Sequence, residues 1–133
     1  MSIYTGLGFL ELFAVGVQYQ INDRFAFGVK TDVGLVGGHD LPRGGFGGGF
    51  KGSYFIDRTG EETFLSINVL TIEASYLATG SGGATLLEAT FGHDSIQGRG
   101  IGFFWLIGMA HGEGGGEHPL IFLTVKIGLH LDL

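Results

Sequence analysis

The chain has 133 residues, enough for one domain spanning 1–133. Charged residues are only 15% of it, against roughly 25% in soluble globular domains, and the formal charge is −6 with no run of Lys and Arg. A phosphate-neutralising groove is therefore not expected, and the absence of cysteine removes disulfides, thiolate chemistry and cysteine metal sites.

The first segment, 3–21, carries Phe13, Val15, Val17, Tyr19 and Ile21 on one parity, alternating with Ala14, Gly16, Gln18 and Gln20. A period of two sends the two sets to opposite faces of a strand. Asn22-Asp23 reads as a tight turn, since both residues bond to nearby backbone. In 24–36, Phe25, Phe27, Val29, Thr31, Val33 and Leu35 alternate with Arg24, Ala26, Gly28, Lys30, Asp32 and Gly34. In 45–56, Phe46, Phe50, Tyr54 and Ile56 share a face opposite Lys51 and Ser53. Apolar parity changes along 63–77, from Leu65, Ile67 and Val69 to Leu70, Ile72, Ala74 and Tyr76, which predicts a bulge near Val69 and Leu70. Segment 84–92 alternates through Leu87, Ala89 and Phe91. In 100–111 both Ile101, Phe103, Trp105, Ile107, Met109 and the reverse pair Phe104, Leu106 are apolar. The last segment, 119–133, alternates through Ile121, Leu123, Val125, Ile127, Leu129, Leu131 and Leu133, long enough to cross a bilayer at a barrel's tilt.

These seven segments predict an all-β fold, an antiparallel up-and-down transmembrane β-barrel. Eight strands are expected because such barrels have even numbers, with the extra strand or a sharp bend hidden in the overlong 3–21 near Gly6-Leu7-Gly8 and Glu11. The 27 glycines, about three times ordinary usage, suit strands that curve tightly or pack closely inside a narrow barrel. Turns 22–23 and 57–62 are expected on the rim of the termini. Loops 37–44, 78–83 and 112–118 are expected opposite, with His93 to Gly98 as an intermediate connection near the first rim.

No apolar run is long enough for a spanning helix, and Met1-Ser2-Ile3-Tyr4 lacks a basic flank, so no signal peptide is read there. Alternation alone also fits a soluble barrel or sandwich acting as a binding module. Against that, the face that would meet water carries Gly, Ala and Leu, while the apolar face is aromatic and branched in every segment.

Lys126-Ile127-Gly128-Leu129-His130-Leu131-Asp132-Leu133 resembles the C-terminal assembly signal of outer-membrane barrels, although it ends in Leu where Phe or Trp is usual. Residues 16–28 are similar to hairpins of small bacterial outer-membrane proteins of the OmpA and opacity-protein type. The resemblance implies the cell outer membrane, a lipid or detergent partner, a monomer, and recognition of 126–133 by the outer-membrane assembly machinery. It identifies no activity; from the charge pattern no nucleic-acid partner is expected, and no cofactor is expected.

Arg24, Lys30, Asp32, Lys51, Glu73, Glu88, Lys126, His130 and Asp132 are expected inside, as a salt-bridge network that fills the lumen. Lining a narrow pore for small solutes or ions is the alternative. His93-Asp94-Ser95 raises a further one, since its His-x-Ser pattern resembles that of outer-membrane lipid A deacylases, with His93 and Ser95 in the corresponding roles. That family takes its catalytic Glu from the next strand, where Trp105, Leu106 and Ile107 stand here. His111, Glu113, Glu117 and His118 cluster near three glycines and read as solvated loop residues rather than a metal site. No catalytic, cofactor-binding or metal-ligating set is therefore assigned, and the expected role is that of a barrel with a small, polar, side-chain-filled interior.

Overall fold

Alternation at period two resolves, in a computed structural model, into eight strands: β1 (Ser2–Gly8), β2 (Phe13–Gln20), β3 (Phe25–Val36), β4 (Arg43–Phe55), β5 (Leu65–Thr79), β6 (Gly82–Ile96), β7 (Ile101–Gly114) and β8 (Leu120–Asp132). Each pairs antiparallel with its sequence neighbours, and β1 pairs with β8 from Ser2↔Asp132 to Gly8↔Lys126, so the sheet closes into a barrel. Closure gives the sheet no free edge to template further pairing. The structure describes residues 1–8, 12–36, 43–56, 65–79, 82–96, 100–114 and 120–133.

The eighth strand comes from the overlong first segment, which divides into β1 and β2. Both termini, and the β2–β3, β4–β5 and β6–β7 connections, lie at one end, here the terminal rim; the other connections define the distal rim. At the β2–β3 turn Asn22 Oδ1 accepts from the Arg24 and Phe25 amides, both at 2.9 Å. The Asn side chain thus replaces backbone partners, as the sequence suggests.

Three local expectations are corrected. No bulge interrupts β5: it stays in one register from Phe46↔Ala78 to Phe55↔Val69 on one side and from Leu65↔Ile96 to Thr79↔Gly82 on the other. The parity change has another cause, because Val69 points inward into an apolar cluster while Leu70 points out. Residues 78–79 and 82–83 are paired strand rather than loop, and β4 and β7 likewise extend through Gly44 and Gly114. Gly82 begins β6 at φ 153°, a conformation that L side chains rarely adopt. Finally, His93 to Ile96 belong to β6 rather than to a connection. The remainder of loops 37–44, 78–83 and 112–118, and the turn 57–62, fall outside the described residues.

The pleat sends charged and small residues in and large apolar ones out. Along β8, outward residues from Ile121 to Leu133 are 41–68% exposed, whereas Thr124, Lys126 and His130 are buried between them. Inside, side chains form layers. Toward the terminal rim Tyr4, Ala26, Phe55, Val69, Phe104 and Leu106 make one apolar cluster. Leu77, Leu86 and Ala110 are buried toward the distal rim. Phe104 and Leu106, which made both faces of their segment apolar in sequence, are thus lumen filling.

Inward glycines give this narrow interior its room. A Cβ on Gly16 would overlap the Tyr4 ring, and one on Gly128 the Phe104 ring. On Gly92 and Gly47 it would overlap the carbonyl oxygens of Trp105 and Tyr76 on adjoining strands. The glycine excess therefore allows both close strand approach and the seating of large rings.

Candidate functional site

Between the two apolar layers lies a belt of charge. Lys30 on β3, Lys51 on β4, Glu73 on β5, Glu88 on β6 and Lys126 on β8 all project inward, joined by Asp32 one pleat further along β3, and all six are 1–6% exposed. Each stands on the inward parity of its strand, so one register rule places the whole set. Three ammonium groups face three carboxylates.

Glu73 is the hub. Its Oε2 accepts from Lys30 Nζ at 2.6 Å and from Lys126 Nζ at 2.8 Å. Lys30 also stands 3.3 Å from Asp32 Oδ2, and Lys126 stands 3.0 Å from Glu88 Oε1. Thr124 Oγ1 donates to Glu88 Oε2 at 3.1 Å, and the Thr71 and Thr90 hydroxyls hydrogen-bond to each other. Since β5 and β8 lie on different sides of the barrel, the Glu73–Lys126 contact crosses the lumen.

Lys51 makes a second crossing. Its ammonium lies 4.4 Å from the centroid of Tyr4 on β1 and 5.0 Å from that of Phe104 on β7. An aromatic face attracts a cation through its quadrupole, more strongly where water is excluded. A void of about 10 Å³ adjoins Lys51, Glu73 and Lys126, lined also by Tyr4, Gly6, Ala14 and Phe104. That is no more than the space of one water.

Near the terminal rim a smaller cluster forms around His130. Its Nε2 stands 2.8 Å from Asp94 Oδ1 on β6, and its Nδ1 3.3 Å from Asp132 Oδ1 on β8. A Cβ on Gly102 of the intervening β7 would overlap the His130 imidazole, so glycine there lets His130 reach across to Asp94.

Of the nine residues expected inside, eight are brought to these two clusters. Arg24 is not: it precedes β3 in the exposed Asn22–Phe25 turn, where parity does not bind. Asp94, read with its neighbours as a connection, faces inward instead. Parity counted forward from Glu88 through Thr90 and Gly92 places it there. Tyr4 and Phe104 as partners of a lysine had no local sequence signal, because they meet it only on closure.

The His93-Asp94-Ser95 stretch is dispersed by the same pleat. His93 lies on the outer wall, stacked on Trp105 with ring centroids 6.3 Å apart, and its Nδ1 is 3.4 Å from Asn68 Oδ1. Ser95 Oγ donates to the Phe103 carbonyl at 2.8 Å and accepts the Phe103 amide at 2.9 Å. The intervening acid, Asp94, points to His130 inside. His and Ser share a face, but the Ser hydroxyl is held by backbone, and among the described residues no acid pairs with His93. His111 and Glu113 stand at the distal end of β7, while Glu117 and His118 lie outside the described residues. Among the described residues no three His, Asp or Glu side chains are grouped to hold a metal ion.

Comparisons with protein-family models, curated proteins and solved structures returned no match. The fold and its two clusters define the class as a closed eight-stranded β-barrel with a charged, crossed interior.

Proposed function

We propose that the chain is a transmembrane barrel of the bacterial outer membrane, monomeric, with a lumen plugged by its own side chains and a structural rather than a transporting or catalytic role. The observation that carries the reading is the inversion of polarity. Among the described strand residues, outward positions bear no Asp, Lys or Arg and a single Glu, Glu113 at the distal end of β7. Lys30, Lys51, Lys126, Asp32, Glu73 and Glu88 all point inward.

An apolar wall in water costs free energy in proportion to its area, about 25 cal/mol per Å². In lipid the same wall costs nothing, and closure meets the demand that backbone groups bond within the protein. The wall has the right height. Ile121 to Leu133 rise about 40 Å along the strand at roughly 3.3 Å per residue. A tilt of about 40° reduces this to about 30 Å, the thickness of a hydrocarbon core. Amphipathic aromatics sit toward the ends, with exposed Tyr19 and Trp105 and half-buried Tyr54 near the terminal rim and exposed Tyr76 near the distal rim. Val15, Val17, Val29, Ile72, Ile107, Val125 and Ile127 hold most of the middle. Aromatic girdles around an aliphatic band are what the two bilayer interfaces select.

The crossed lumen favours the structural reading over a pore, since an ion would have to displace the Glu73–Lys126 and Lys51–aromatic contacts in turn. The likeness of 16–28 and 126–133 to OmpA- and opacity-type barrels agrees with this reading, including recognition of β8 by the assembly machinery. The test is folding from urea into detergent micelles. Folded barrel should run at a different gel position from its boiled form and give a β-rich circular dichroism spectrum. Cooperative folding to a dispersed monomer in plain buffer would refute the proposal in favour of a soluble barrel.

A further inference from the structure

The outer wall is not uniform. Three of its outward glycines, Gly44, Gly48 and Gly52, stand on β4, and Gly83 near the distal start of β6 lies under the Tyr76 ring. At Gly52 an added Cβ would meet only the Ile72 carbonyl oxygen, 3.9 Å away, so the surface there is open. The result is a groove of about 450 Å³, walled by Phe25, Phe27, Tyr54, Leu70 and Ile72 and ending at Asn22 on the terminal rim. Two ring pairs hold the walls: Phe25 and Tyr54 at 4.9 Å between centroids, and Phe27 and Phe50 at 5.8 Å.

We propose that this groove seats one acyl chain of a zwitterionic phospholipid, whose headgroup lies at the 22–24 turn. The inference rests on the membrane reading above and goes beyond it to a defined lipid site. The groove walls are almost wholly apolar, the surface that an acyl chain matches. In lipid the gain is contact rather than dehydration. A chain on a flat wall is touched on one side, whereas a chain in a concave aromatic groove is touched on several. The end of the groove supplies the headgroup chemistry. Asn22 is locked by its bonds to the Arg24 and Phe25 amides, and beside it Asp23 and Arg24 are both exposed. Adjacent opposite charges complement a phosphate and a quaternary ammonium and give no net pull on an anionic lipid.

The experiment uses the full chain in nanodiscs of palmitoyl-oleoyl phosphatidylcholine, checked for folding by gel shift. The barrel is then extracted into a short-chain detergent, and retained lipid is counted by native mass spectrometry. Wild type should keep one phospholipid per barrel. Gly52→Phe, or the smaller Gly52→Val if the ring impedes folding, should lower retention by at least about tenfold, near 1.4 kcal/mol. Ala89→Phe, which adds the same ring to the exposed wall of β6, should leave it unchanged. Equal retention in all variants, or equal loss from both sites, would overturn the groove. A dimer peak abolished by Gly52→Phe would overturn it too, by assigning the groove to a second copy. Failure to fold in nanodiscs would instead overturn the membrane reading, and the gel shift separates that result from the others.

Discussion

Removing the carboxylate at the hub of the belt should unbalance the interior. Glu73→Gln keeps the volume and one acceptor but turns three cations facing three anions into three facing two. Two ion pairs lose their anion, that with Lys30 at 2.6 Å and that with Lys126 at 2.8 Å. Neither lysine is stranded, since Lys30 keeps Asp32 at 3.3 Å and Lys126 keeps Glu88 at 3.0 Å. The loss is thus that of one compensating charge in a dry interior, which costs about 3–5 kcal/mol. Adding Lys126→Met restores equal numbers of opposite charges. The double variant should therefore cost less than the sum of the singles, by about 1–3 kcal/mol. Urea titration of the barrel folded into phosphatidylcholine vesicles, followed by Trp105, the chain's single tryptophan, measures both quantities. A Glu73→Gln variant within about 1 kcal/mol of wild type, or strictly additive energies in the double variant, would refute the tightly paired belt.

Gly47→Ala should destabilise the barrel by about 1–3 kcal/mol in the same titration, because its Cβ would overlap the Tyr76 carbonyl. Gly44→Ala, with nothing within 4 Å, should be neutral within about 0.5 kcal/mol or slightly stabilising. Planar bilayers containing wild-type barrel should show no discrete conductance steps, and steps altered by replacing Lys126 would establish a pore instead. Release of acyl chains from lipid A or phospholipid should be at background and unchanged in Ser95→Ala, whereas activity lost in that variant would establish the hydrolase. Gly102→Ala should cost about 1–3 kcal/mol by displacing the His130 ring from Asp94, read as a lowered urea midpoint.

Most of the fold is legible in the sequence because one rule, period two, governs it. The inward set Lys30, Lys51, Glu73, Glu88 and Lys126 follows directly from parity. Parity misleads where the interior itself is apolar. Val69 faces inward with Phe55 and Phe104, so its segment imitates a bulge, and only cross-strand register separates the two explanations. Parity does not bind in the turn that holds Arg24, whereas it does reach Asp94 once β6 is followed through to Ile96. Contacts across the lumen, such as Lys126 with Glu73 or Lys51 over Tyr4, depend on how the sheet closes and are encoded in no short stretch. The His93–Ser95 pattern was visible, but its chemistry depends on the Phe103 backbone that occupies the serine hydroxyl.

Trp105 offers the most direct test of a lipid-facing outer wall, because it points outward and is 44% exposed. Folded into vesicles containing dibrominated phosphatidylcholine, the barrel should give blue-shifted emission strongly quenched by bromines in the acyl chains. Unquenched, red-shifted emission from a barrel that stays monomeric and folded outside the vesicles would contradict it.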